Sequence, residues 1–133
     1  MIATEKFLQL LGQHGQLRSQ RKRTIFHYDF PSGAVACFKT MRMPHQIRLH
    51  SISVDTPKLG VGTSLMRMIC DIADQCGVVI ELTALPLGPL SGKIGMPKLI
   101  TWYRSFEFVI NDDFYEDQEV DLIEGLEMIR DPH

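Results

Sequence analysis

The chain has 133 residues, 44% of them hydrophobic and 23% charged, with a formal net charge of -2. Those values describe one ordinary globular domain with enough apolar residues to bury a core. No apolar run approaches the ~20 residues of a membrane span and no basic-then-apolar leader opens the chain, so the expectation is a cytoplasmic protein with no membrane partner.

A first helix is expected over residues 4–14, with Thr4 as its cap, Phe7, Leu8, Leu10 and Leu11 as its apolar stripe, and Gly12 and Gly15 as its stop. Arg18, Arg21, Lys22 and Arg23 follow as a basic run. With no aromatic residue interleaved, the run reads as a solvated connector, and a nucleic-acid partner is not expected. Residues 24–30 and 34–40 are rich in β-branched and aromatic residues around Pro31-Ser32-Gly33, which predicts a β-hairpin.

After Pro44 comes an apolar strand over 47–54. Ile47 and Leu49 fall on one phase of its alternation, Ile52 and Val54 on the other. One inserted residue, a β-bulge, produces that change of phase. Gly60-Val61-Gly62 then leads into a helix whose apolar residues Val61, Leu65, Met68, Ile69, Ile72, Ala73 and Cys76 keep helical spacing, with Gly77 as its stop. A helix start supplies amides with no intrahelical acceptor and a dipole that favours anions, and glycines let a phosphate come close to the backbone. By itself such a turn is structural more often than not. The third glycine of the dinucleotide fingerprint is replaced by Leu65, and the P-loop pattern is absent.

Val78 to Ala84 reads as a strand interrupted by Glu81, and the strand–helix–strand order predicts a parallel pair. Residues 85–97 hold three prolines and three glycines, more typical of a functional loop than of a regular element. A short helix over 98–106 carries Leu99, Trp102, Tyr103 and Phe106 on one face. A strand from Phe108, an acidic run from Asp112 to Glu124 and a last strand over 126–130 complete the chain.

Cys37, Cys70 and Cys76 are odd in number and have no metal-ligand spacing, so they read as buried thiols in a reducing compartment. His14, His27, His45, His50 and His133 form no ligand pattern, and no metal is expected. Residues 1–60 carry nine Lys/Arg against three Asp/Glu, a net of +6, and residues 61–133 carry five against thirteen, a net of -8. The split marks either separate electrostatic faces or charges that interleave in space and solvate the surface.

The layout resembles the GCN5-related N-acetyltransferase (GNAT) family, whose cofactor loop follows a bulged strand and reads roughly Q/R-x-x-G-x-G-G/A. The matching residues are Pro57-Lys58-Leu59-Gly60-Val61-Gly62-Thr63, with Pro57 at the Gln/Arg position. Residues 99–108, LITWYRSFEF, are similar to the family's LxxFYxRFGF segment, with Glu107 replacing a glycine, and 127–132 look like its closing strand. The likeness covers about residues 22–132 of a single domain spanning 1–133.

The resemblance implies an α/β (α+β) domain: a mixed, mostly antiparallel sheet with two diverging central parallel strands and flanking helices. It implies an acyl-CoA-dependent N-acyltransferase that moves acetyl from acetyl-CoA to a primary amine by direct attack. Backbone amides of Leu59, Gly60, Val61, Gly62, Thr63 and Ser64 would hold the pyrophosphate beside Lys58, and main-chain groups of Ser53 and Val54 the pantetheine. Tyr103 stands at the family's tyrosine and would serve the departing thiolate, although its helical face also suits a core aromatic. Near the strand position of the family's glutamate lie Arg48 and His50, which makes His50 the first candidate base and Glu81 the second. For each of these two the bland reading is a surface or strand-end side chain. The acidic run points to a cationic, amine-bearing acceptor. The sequence admits a homodimer without specifying one. The alternative is a catalytically silent member of the fold that binds a protein or nucleic-acid partner.

Overall fold

Alternation of apolar and polar side chains builds the sheet. In the computed structural model, which describes residues 2–13, 17–21, 25–29, 35–43, 46–54, 60–84, 96–115 and 125–133, the order is α1 (Ala3–Gly12), β1 (Leu17–Arg21), β2 (Ile25–Asp29), β3 (Val35–Arg42), β4 (Gln46–Val54), α2 (Val61–Cys76), β5 (Val79–Ala84), α3 (Met96–Arg104), β6 (Val109–Ile110) and β7 (Leu126–Arg130). The strands form one sheet ordered β1-β2-β3-β4-β5-β7-β6. Among the described strands only β4 and β5 pair in parallel, so the mixed, mostly antiparallel α+β architecture expected from the sequence is present.

Phe26 and Tyr28 of β2, Ala36 and Phe38 of β3, Ile47 and Leu49 of β4, Ile80, Leu82 and Ala84 of β5, and Leu126 and Met128 of β7 are buried. Positions two apart share a face, so these residues form one apolar surface. The three helices pack on it. Tyr28 Oη donates to the Leu11 carbonyl of α1 at 2.7 Å, and Trp102 Nε1 of α3 donates to Thr63 Oγ1 of α2 at 3.1 Å. Arg130 of β7 reaches α2 with two bonds to Asp74, at 2.7 and 3.0 Å, and donates through Nε to the Phe106 carbonyl at 2.7 Å. Arg130 is buried, 4% exposed, and its charge is tolerated there because its donors are matched by a carboxylate and a carbonyl.

Several local expectations are corrected. Thr4 is not the cap of α1. Ile2 holds that position, and the buried Thr4 hydroxyl has no partner among the described residues. Gly12 lies within the helix, where an added Cβ would sit 2.6 Å from Gln20 Oε1 of β1, and Gln13 closes the helix instead. The basic run does not begin as a connector: Leu17–Arg21 pairs with β2, because backbone hydrogen bonding to a neighbouring strand overrides the polarity of the side chains. The helix expected over 98–106 begins two residues earlier, at Met96, and ends at Arg104. Cys70 is buried, whereas Cys37 and Cys76 are only partly so. The buried stripe of α2 also includes Met66 and Cys70, since the sheet and α1 both pack against that helix. The hairpin turn at 31–33, the loop at 85–95 and the acidic stretch 116–124 lie outside the described residues. No described helix is long and apolar enough to cross a membrane.

The turn after α3 contains the one described non-glycine residue at positive φ, Glu107 at 73°. A side chain in this left-handed region costs about 1–2 kcal/mol, which accounts for the glycine at this position in the similar family segment. Glu107 pairs with His133 across an exposed surface, an interaction of small worth. Glu107→Gly is therefore expected to raise the stability by about 0.5–1 kcal/mol, visible as a higher melting temperature; an unchanged or lower value would show that the ion pair outweighs the strain. On the neighbouring clamp, the Arg130 hydrogen bonds hold the Asp74 carboxyl below the usual aspartate range. That stability is complete above pH ~3.9, the unfolded value, and is lost as pH falls through the lower folded value. Asp74→Asn should be less stable at neutral pH and lose less on acidification, which denaturant melts between pH 2 and 7 would measure.

Candidate active site

β4 and β5 are paired only from Gln46↔Val79 to Leu49↔Leu82. Beyond Leu49, β4 continues along β3 as far as Val54↔Ala36, while β5 continues along β7 as far as Ala84↔Leu126. The two parallel strands thus part, and beyond Leu49 the β5-facing edge of β4 has no strand partner among the described residues. On the other edge the register shifts: Lys39 faces His50, but Cys37 faces Ser53. Ser51 and Ile52 together occupy the space opposite Phe38, which is the inserted residue that the phase change predicts.

The helix expected after the glycines starts where the sequence places it. Gly60 caps α2 at φ 68°, a left-handed conformation that suits glycine. Its carbonyl accepts the Ser64 amide at 3.1 Å, so the preceding amides lie in the first turn, where α helices lack internal acceptors. No acidic side chain occupies that turn. Among the described residues, a Cβ added at Gly62 would meet only Trp102 Cζ2, at 3.8 Å. Ser53 and Val54 end β4 against β3. Pro57, Lys58 and Leu59 lie outside the described residues.

Tyr103 sits on the helix-covered side, 8% exposed, with its ring edge-on to Trp102 at 5.0 Å and to Phe108 at 5.7 Å. Burial pushes its phenol up to about 12, so the group is a neutral donor at physiological pH. Burial likewise pushes the Cys70 thiol up to about 12, leaving it unreactive.

The opposite face of the sheet is polar. Arg48 of β4 bonds Glu127 of β7 at 2.9 and 3.0 Å, donates to Thr83 Oγ1 of β5 at 2.5 Å and pairs with Glu81 of β5 at 3.6 Å. Thr83 in turn donates to Glu127 Oε1 at 2.5 Å, Asn111 Nδ2 donates to Glu81 at 3.4 Å, and the Glu127 amide donates to Tyr115 Oη at 2.9 Å. Glu81 therefore stands in an ion pair rather than free. His50 follows Leu49 at the point where the strands part. Its Nε2 is buried with no hydrogen-bond partner among the described residues. Burial, then Arg48 and Lys39, hold its imidazole below the usual histidine range, with Glu127 opposing.

The structure brings His50, Glu81 and Arg48 together on one face and sets Tyr103 among the helices on the other. Glu127, Thr83, Asn111 and Tyr115 were not singled out by sequence reasoning. One signal pointed to them: Glu81 and Glu127 are each carboxylates embedded in apolar strands, and such groups require partners. Among the described residues, no group of three His, Cys, Asp or Glu side chains is arranged to hold a metal ion.

No family model matches the chain, and no curated protein matches it. Among solved structures, it is similar to the crystal structure of the anti-CRISPR protein AcrVA5, with 25% identity over 80% of this chain and 97% of that one, at a TM-score of 0.56. The likeness agrees with a mixed α/β architecture as the chain's fold.

Proposed function

We propose that the protein is an acyl-CoA-dependent N-acyltransferase that transfers acetyl from acetyl-CoA to a primary amine by direct attack. The observation that carries this reading is the parting of β4 from β5 beside a helix that starts on glycine. A gap of that kind offers unpaired strand edge to the amides of a pantetheine arm, and the helix start offers first-turn amides to a pyrophosphate. The absence of acidic side chains from that turn fits such a ligand, as does Gly62, whose missing side chain leaves its backbone open to close approach. The resemblance of the glycine turn and of residues 99–108 to the GCN5-related N-acetyltransferases points the same way.

Within this reading Tyr103 donates to the thiolate leaving group. A thiol of pKa ~8.5 leaves readily in water, but in a closed cleft the developing charge requires a donor. A neutral phenol meets that requirement. A cationic acceptor is supported by the acidic composition that begins with Asp112 and Asp113, both exposed. A second reading, in which the fold binds a protein or nucleic-acid partner without catalysis, draws on the designation of the structural neighbour as an anti-CRISPR protein.

Calorimetry with CoA, followed by turnover of acetyl-CoA against a panel of amines, separates the two. Binding with turnover supports acyl transfer; failure to bind CoA removes it. Gly62→Ala is expected to melt higher, because alanine is favoured over glycine in a helix by up to ~1 kcal/mol, yet to bind CoA at least tenfold more weakly. Equal affinity in the stabilised variant would place the pyrophosphate elsewhere. Tyr103→Phe keeps the ring and removes the hydroxyl. Its expected loss in kcat is ~10²-fold or more with CoA affinity and melting temperature retained, and a rate within twofold of wild type would make Tyr103 a packing residue.

A further inference from the structure

Of the polar groups on the face of the sheet opposite the helices, most are already matched to one another. Arg48, Glu81, Thr83 and Glu127 are joined by the bonds described above, and Asn111 and Tyr115 close the network from outside. His50 Nε2 is different: it is shielded from solvent and has no donor among the described residues. In the tautomer that carries its proton on Nδ1, this Nε2 is a buried acceptor and gains from the arrival of an N–H or O–H group. Its position is equally specific, between Leu49, the last β4 residue paired with β5, and the bulge at Ser51 and Ile52.

We propose that His50 takes the proton from the acceptor amine, and that the amine reaches it from the polar face of the sheet while the thioester is held from the helix-covered face. The proposal rests on the acyl-transfer reading and assigns its base. Glu81 is displaced from that role because its carboxylate is engaged by Arg48 and Asn111. The charged groups that bear on His50 are Arg48 on its own strand, Lys39 opposite it on β3 and Glu127 on β7, with Glu81 on β5 bonded to Arg48. Two cations balance two anions. Burial together with Arg48 and Lys39 then keeps the imidazole neutral and ready to accept.

The protons balance in two steps. The ammonium loses one proton to His50 Nε2, and that proton reaches solvent after the product has left the site. The freed amine nitrogen then attacks the thioester carbonyl carbon, so that an N–C bond forms as the C–S bond breaks. The second proton leaves nitrogen as the amide forms, and one proton ends on sulfur, in part through Tyr103, whose phenol is restored by the same exchange. The products are the N-acetyl amine, CoA and one released proton.

The test uses the full chain with acetyl-CoA and four probes: n-butylamine, ethanolamine, spermidine and a lysine-containing peptide. For a probe that turns over, kcat/KM in wild type should rise with pH through a limb centred below the ordinary histidine value of ~6.5. His50→Gln should lose that limb and ~10²-fold or more in rate, with melting temperature and CoA affinity retained. His50→Ala should recover part of the rate when free imidazole is added. Persistence of the limb in His50→Gln, or a rate within twofold of wild type, overturns the assignment. A protein that binds CoA yet acetylates no probe also overturns it, whereas one that does not bind CoA overturns the reading beneath it.

Discussion

Everything at the site depends on where β4 and β5 stop sharing hydrogen bonds. Four residues of parallel pairing, Gln46–Leu49 against Val79–Leu82, hold the sheet together, and past them each strand follows its outer neighbour. The outer pairings are antiparallel, and β4 is bulged against β3, so local twist rises just where the inner pairing ends. Backbone groups facing the gap cannot be matched by the sheet and must find other partners. A fold with such an opening gives up some sheet hydrogen bonding along β4 and β5.

The ion network across the polar face compensates for part of that. Arg48 ties β4 to β5 and, through Glu127, to β7, so three strands are joined by side chains close to where two of them separate. It also settles how the charge asymmetry of the sequence is used here. Arg48 belongs to the basic half of the chain, Glu81 and Glu127 to the acidic half, and they meet within one network. At this place the halves interleave rather than forming opposed surfaces.

The elements with strong periodicity were legible in the sequence. The phase change between Leu49 and Ile52 located the bulge, and the stripe from Leu65 to Cys76 located α2 with its glycine stop at Gly77. The misses share a cause: tertiary partners invisible to a local pattern. Leu17–Arg21 is a strand because β2 offers it a ladder, and Thr4 turns inward because α1 begins earlier than its residue type suggests. The role of Glu107 as a left-handed turn residue could be suspected only from the glycine expected in its place. Partners for Arg48 had to wait for the register, since Thr83 and Glu127 lie 35 and 79 residues away.

Trp102 is the chain's single tryptophan, and its indole lies against the first turn of α2, bonded to Thr63, with Cζ2 3.8 Å from where a Gly62 Cβ would sit. All indole emission from this protein therefore originates at the start of one helix. Its wavelength and intensity depend on the polarity around the ring and on whether the N–H keeps its hydroxyl acceptor. The fold thus carries its own optical sensor at the glycine turn, with no background from a second fluorophore of the same kind, and any change in the surroundings of that turn alters a signal that needs neither label nor turnover to be read.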